Sequence, residues 1–346
     1  MWSAGLVFFL FAAVGLVLPG LAILRICRVP VDAALVLPLG ACVTAFVYWL
    51  SMAAGLPLLA PAGVALVAFG LLVPRPAGSV RSPGLRGALL PLALTIGVLA
   101  ATVYPLHRAD GDGRFLLDGE LALAADTAFH VGVTRELAIG YPPQVPGLAG
   151  FRLSYHLGVD LVRAAALRWA RIDPYDSINR LDVTLWALAL ILAIRSTARA
   201  IGAPPFAVTL AGFTVLAGDF SFALAGNPQA HWWTDLLRGN LLLSLVYANP
   251  IVPALALALG SLLALAHHRD DPRPGWLAVA ALQALAVAFF KVFLGAHLAL
   301  GLGLAALLRR DRSTLWTAGA ALLSTAALVL SADASGVGVS LSLIHL

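Results

Sequence analysis

Asp126, Thr127, Ala128, Phe129 and His130 form the densest polar constellation in the chain, with Arg135 and Glu136 close behind. Asp126 and His130 are four positions apart, so on a helix they share one face. A carboxylate beside an imidazole can accept a proton from a bound hydroxyl, the task of a general base. The same spacing also fits an ordinary surface pair near a helix start, and both readings stand. Arg152, Tyr155 and His156 follow a proline-rich stretch, Tyr141-Pro-Pro-Gln-Val-Pro146, whose fixed φ angles give a rigid path. His156 suits a phosphate or a sugar hydroxyl. An interfacial tyrosine with a solvated histidine fits equally well.

Two further groups carry potential chemistry. His231, Trp232 and Asp235 stand in the segment Gly226–Asp235, where indole faces can stack on a sugar or sit in an aromatic belt at a membrane surface. Lys291 is the sole lysine and interrupts a long apolar run. Charges inside such runs are costly and functional by default. Lys291 can meet a lipid phosphate, or it can extend its ammonium to the interface. Metal clusters, phosphate-binding glycine loops, nucleophile elbows and dinucleotide fingerprints are missing. The carboxylates around Asp112, Asp118 and Glu120 leave room for a divalent cation but lack calcium-loop spacing.

The elements that position these residues follow from composition. Hydrophobic residues make up 61% and charged residues 11% of the 346 residues, with a mean hydropathy of +0.93. Soluble domains hold roughly 45–50% apolar and about 25% charged residues. Lipid leaves backbone polar groups no outside partner, so only helices or closed barrels cross it. The apolar runs lack period-2 alternation, which excludes a barrel. The fold class expected is therefore all-α, a polytopic transmembrane bundle of about ten spans. Spans fall near 4–24, 31–54, 57–74, 87–105, 181–196, 203–219, 241–266, 276–291, 292–308 and 315–331. The first lacks a basic leader and reads as retained. The run 276–308 is too long for one crossing and splits at Lys291.

The sequence pI near 9.7 does not require nucleic acid. Twelve of the 22 basic residues sit in short connections: Arg25, Arg28, Arg75, Arg81, Arg86, Arg195, Arg199, Arg269, Arg273, Arg309, Arg310 and Arg312. Ten spans place all of them on one side, the cytoplasmic one by the positive-inside rule. The other face then owns residues 106–180 and the loop 220–240. The larger loop holds two helical patterns, Leu121–Gly140 and Ser154–Ile172, both amphipathic enough to lie on the membrane surface. The arginine- and alanine-rich composition suits a bacterial cytoplasmic (inner) membrane. Two cysteines, Cys27 and Cys42, are too few for a disulfide framework.

Asp126…His130, Glu136-Leu137, Pro142-Pro143…Pro146, Ala149-Gly150 and Tyr155-His156, in an outer loop of a multispan chain, resemble membrane glycosyltransferases of the GT-C superfamily. The likeness covers residues 120–160 best. It implies a sugar moved from a polyprenyl-phosphate donor to a cell-envelope acceptor, a glycan or a protein, with Asp126 at the position of the acidic reaction-centre residue. It also implies a domain 87–346 with catalytic loop 106–180, preceded by a three-span extension, 1–86. The large loop of that superfamily usually follows the first helix, whereas here it follows the fourth. Many relatives continue into an outer domain, so an end at Leu346 reads as a fragment or a short variant. Rival readings are a cell-envelope ligase or acyltransferase and a transporter of lipid-linked glycans.

This layout makes a direct prediction. With Cys27 and Cys42 replaced by alanine, a cysteine at position 112 should react with an impermeant thiol reagent in intact cells. Labelling only after lysis would overturn the orientation.

Overall fold

In the computed structural model, residues 2–74, 85–102, 125–213 and 250–335 are described. Helix α1 runs over Trp2–Phe11, passes through a π-helical segment Ala12–Val17, and continues as Leu18–Ile26. It is followed by α2 (Ala33–Ala53), α3 (Leu59–Ala68, with a 3-10 turn Phe69–Leu72) and α4 (Leu85–Thr102). Next come α5 (Ala125–Ile139), a two-stranded ribbon of β1 (Gln144–Val145) and β2 (Leu148–Arg152), and α6 (Gly158–Ala170). Helix α7 starts at Pro174–Asp176, widens into π geometry at Ser177–Leu181, and runs on as Asp182–Ala200. The remaining helices are α8 (Pro205–Phe213), α9 (Ile251–Asp270), α10 (Pro274–Phe290), α11 (Val292–Arg309) and α12 (Arg312–Ser335).

Among the described residues six helices are long and apolar enough to cross a membrane: Gly5–Ile26, Ala33–Ala53, Pro174–Ala200, Ile251–Asp270, Val292–Arg309 and Arg312–Ser331. Leu59–Leu72 and Pro274–Phe290 are apolar but shorter. The protein is a helical, multi-pass membrane protein. Large apolar side chains such as Phe9, Phe46, Leu66, Leu300, Leu323 and Leu330 face outward, a cost in water but not in lipid.

Helix α2 is the centre of the bundle. It packs against α1, α3, α6, α7 and α9, and most residues of its apolar span are buried, whereas most of those of α11 are not, so α11 forms an edge. Glycines let α1 and α2 approach closely. A Cβ on Gly40 would lie 1.7 Å from the Leu16 carbonyl oxygen, and one on Gly20 would lie 1.9 Å from the Val36 oxygen. Small residues at such crossings let backbones pack closely where lipid supplies no hydrophobic drive. The π segment of α1 disrupts the usual carbonyl pairing, and the buried Thr44 hydroxyl donates to the Gly15 carbonyl across this crossing.

Among the described residues, the connections holding Arg25 and Arg28, Arg269 and Arg273, and Arg309, Arg310 and Arg312 meet at one end of the molecule. Arg25 donates to the Leu71 carbonyl, and His267 Nε2 meets Asp32 Oδ2 at 3.0 Å. Arg269 faces Asp311 at 3.6 Å, and Gly275 sits against the Cys27 carbonyl. The other end holds α5, the ribbon and α6. The break expected at Lys291 is present: α10 ends at Phe290, Lys291 is extended (φ −158°, ψ 106°), and α11 begins at Val292.

The proline-rich path from Tyr141 leads into the β1–β2 ribbon, which Pro146 and Gly147 (φ +81°) reverse between paired Val145 and Leu148. One local expectation differs. Helix α6 does not lie on a surface with its polar face outward. Every residue from Gly158 to Ala166 is buried, Asp160 and Arg163 included.

A side chain at the α1–α2 crossing should therefore separate the two helices. Gly40→Ala should destabilise the protein by about 1–3 kcal/mol, the usual range for overpacking. Gly301→Ala in α11, where no described residue comes within 4 Å of the added Cβ, should be neutral or slightly stabilising. Thermal unfolding of both variants in detergent checks this pair.

Candidate functional site

The side chains of α5, α6 and α7 meet in a buried ionic chain. His130 Nδ1 lies 2.8 Å from Asp160 Oδ2, with side chains 4% and 0% exposed. Arg163 reaches Asp160 Oδ1 through one guanidinium nitrogen at 2.9 Å and Asp182 Oδ2 through Nε at 2.6 Å. The Ser177 hydroxyl donates to Asp182 Oδ1 at 2.8 Å, and Thr134 approaches Asp160 Oδ1 at 3.5 Å. Local structure explains the Ser177 contact. Residues five apart meet on a π-helical turn, and Ser177–Leu181 is such a turn leading into Asp182.

Two carboxylates and one guanidinium are thus taken out of water together, which is tolerable only when each is paired and hydrogen-bonded. Burial alone would raise the Asp160 pKa. The neighbouring His130 and Arg163 outweigh it and hold the carboxyl below its usual range. A carboxylate fixed on Nδ1 sets the orientation of the His130 ring and leaves Nε2 as its other polar atom.

Aromatic rings extend the site. Tyr155 stacks on His156 with ring centroids 3.8 Å apart and packs edge-on against Phe129 at 5.3 Å. The His130 and Tyr155 rings stand 5.9 Å apart. His156 is buried, and its Nε2 finds no hydrogen-bond partner among the described residues. Burial first, then the charges of Lys291 and His130, push the His156 pKa well down, so its imidazole is neutral at pH 7.

Lys291 reaches this neighbourhood from the α10–α11 break, with its ammonium 5.4 Å from the Phe293 ring centre. The α11 N-terminus adds backbone N–H groups of the same polarity. Beside Tyr155 and Leu157 opens a cavity of about 700 Å³ lined by Trp49, Tyr141, Arg152, Tyr155, Phe289 and Ser331, among others.

Of the residues singled out from sequence, the structure gathers His130, Tyr155 and His156, brings Lys291 within electrostatic reach of His156, and places Arg152 with Tyr155 on the cavity wall. Asp126 lies on α5 four residues before His130, but its side chain falls outside the described residues. His231, Trp232 and Asp235 fall outside them altogether. Among the described residues no group of three His, Cys, Asp or Glu could hold a metal ion, and the carboxylates of 103–124 lie outside that description. Asp160, Arg163, Ser177 and Asp182 went unnoticed in the sequence. Their one local sign is an Asp–Arg pair at i,i+3 in an otherwise apolar helix.

Removing one member of a buried pair strands the other. Asp160→Asn should cost about 3–5 kcal/mol. Because the folded pKa of Asp160 is depressed, its stabilisation is complete above the unfolded value of about 3.9 and fades as pH falls below it. Unfolding of both proteins between pH 3 and 8 should show wild type losing its advantage only at the acid end. Comparison with known proteins finds no matching family model, no similar curated protein and no similar solved structure.

Proposed function

We propose that the protein is a membrane glycosyltransferase of the GT-C type. In this reading it moves a sugar from a polyprenyl-phosphate donor to an acceptor hydroxyl of the cell envelope, outside a bacterial cytoplasmic membrane. The observation that carries the reading is the neutral His156 imidazole, whose Nε2 has no partner among the described residues, within electrostatic reach of the Lys291 cation, while its chain neighbours Tyr155 and Leu157 line a cavity with an arginine and several aromatic rings on its wall. That combination suits a ligand with a charged phosphate, hydroxyl groups and an apolar tail.

In the proposed reaction, Asp126 takes the proton from the acceptor hydroxyl as its oxygen attacks the anomeric carbon. The bond to the donor phosphate breaks, and configuration inverts. Lys291 and Arg152 steady the departing phosphate, since preorganised charge at a leaving group is worth most where water is excluded. Tyr155 and His156 contact the sugar, with His231, Trp232 and Asp235 assigned to the acceptor side. The ten-span layout, with residues 106–180 and 220–240 outside, belongs to the same proposal. It puts the donor phosphate at headgroup depth.

One observation favours a second reading, an envelope acyltransferase or ligase. His130 carries a buried carboxylate on Nδ1, the arrangement that makes an imidazole an effective base through Nε2. Purified protein in nanodiscs, given radiolabelled polyprenyl-phosphate sugar and cell-envelope extract, distinguishes the two. Transfer of label is expected. It should fall by roughly 10²–10⁴ in Asp126→Asn, the usual range for loss of a general base. Lys291→Met should weaken donor binding about ten- to a hundredfold, as expected for a lost charge-assisted contact. Label transfer that survives Asp126→Asn but is abolished by His130→Gln would move the base to His130. No transfer of sugar at all would remove the glycosyltransferase reading.

A further inference from the structure

The opposite end of the molecule carries a second cavity. It has a volume of about 490 Å³ and lies between the last turn of α9, the last turn of α11 and the first turn of α12. Leu265, His268, Arg269, Arg309, Asp311 and Ser313 line it. Two guanidinium groups from different helices therefore border one space. Arg310, in a left-handed conformation with φ 53°, and Arg312 belong to the same turn.

Of the acidic groups nearby, Asp311 and Asp271 are engaged, while Asp270, next to Arg269 at the end of α9, is exposed and does not line the cavity. Asp311 accepts from the Ser313 backbone N–H at 3.0 Å and from the Thr314 hydroxyl, capping α12, and faces Arg269 at 3.6 Å. Asp271 pairs with Arg273 at 2.8 Å. His268 donates from Nδ1 to the Arg273 carbonyl at 3.1 Å. The Arg309 side chain is exposed and makes no hydrogen bond or ion pair among the described residues. With two arginines against one committed carboxylate, the lining has an excess of positive charge.

The apolar surroundings set the depth. Leu304, Leu307 and Leu308 precede Arg309 on α11, and Leu315 and Trp316 follow Ser313 on α12, all more than half exposed. Both helices are long enough to cross a membrane. The cavity thus stands where an outward-facing apolar wall gives way to charged turns, the level at which lipid head groups lie and where tryptophan concentrates.

We propose that this cavity binds the head group of an anionic phospholipid. Arg269 and Arg309 hold its phosphate from two sides, the acyl chains lie along the exposed leucines of α11 and α12, and Arg310 and Arg312 attract the charge from a distance. Basic pockets between helix ends at a membrane surface suit this ligand. The site is independent of the proposed transferase centre, and its occupancy would tie α9 to the edge pair α11–α12.

Detergent-purified protein titrated with short-chain phosphatidylglycerol, phosphatidylcholine or inorganic phosphate, with bound adducts counted by native mass spectrometry, tests the assignment. Phosphatidylglycerol should be retained and the other two should not. Arg269→Gln and Arg309→Gln should each weaken it about fivefold, the value of one basic residue at an anionic surface. Asp311→Asn, which keeps the cap but removes the opposing charge, should strengthen binding. Arg28→Gln, on another basic turn of the same end, should leave it unchanged. Inorganic phosphate binding as well as the lipid would make the ligand a soluble anion and overturn the proposal. Equal losses from Arg28→Gln, or no loss from Arg269→Gln and Arg309→Gln, would reduce the cavity to general surface charge.

Discussion

Asp160 and Arg163 sit side by side on α6 with no access to solvent, and what surrounds them is arranged to make that burial tolerable. A carboxylate and a guanidinium lose several kcal/mol each when they leave water, and they recover it only through close, directional partners. Arg163 takes a second carboxylate from α7, and Asp160 takes an imidazole from α5. Three helices are therefore fixed by one charge set. Any sliding of α5 or α7 along α6 would leave a charge unpaired, a far steeper penalty than the loss of an apolar contact. The device gives geometric definition to the end of a bundle whose other contacts are mostly alanine, leucine and valine.

Hydrogen bonds to backbone carbonyls work with it at the end of α5. Tyr48, fully buried in α2, donates to the Leu137 carbonyl at 3.1 Å, and Arg168 donates to the Ala138 carbonyl at 2.6 Å. Those carbonyls belong to the last turn of α5, which leaves such groups without helical partners. The start of the described part of α5 is thus held by ions and its end by caps from two other helices. His130 rides on a helix that cannot rotate about its axis without breaking both.

The helical, membrane-crossing class was legible because long apolar runs bounded by arginine, glycine and proline have few alternatives in lipid. The split at Lys291 was legible for the same reason, since a run of that length cannot cross once. His130, Tyr155 and His156 stood out as polar types in an apolar chain. The partners of His130 did not, because Asp160 is thirty residues away and the contact exists only once α5 and α6 pack together. Helix α6 misled for a related reason. Amphipathicity shows that one face is polar, and water is the default environment for that face, but here other helices supply it. The ribbon at 144–152 was hidden in a segment whose prolines and glycines announce turns without saying what they join.

Phe290 ties the ionic chain to the lysine. Its ring fills the space over Gly158, where a Cβ would come within 2.4 Å, and it packs edge-on against Trp186 of α7 with ring centres 6.4 Å apart. The next residue is Lys291. Gly158 is two residues from Asp160 and two from His156, so a side chain there would push α10 away from α6. The lysine would then move relative to both. The absence of a side chain at Gly158 thus sets the distance between the Lys291 cation and the His156 imidazole. That distance matters because the lysine's charge helps keep His156 neutral. A neutral ring with one free nitrogen can serve as donor or acceptor to a ligand, whereas a charged one beside an ammonium would be repelled from it. Packing at a glycine therefore reaches the chemistry of the site through two neighbours in sequence and one aromatic ring.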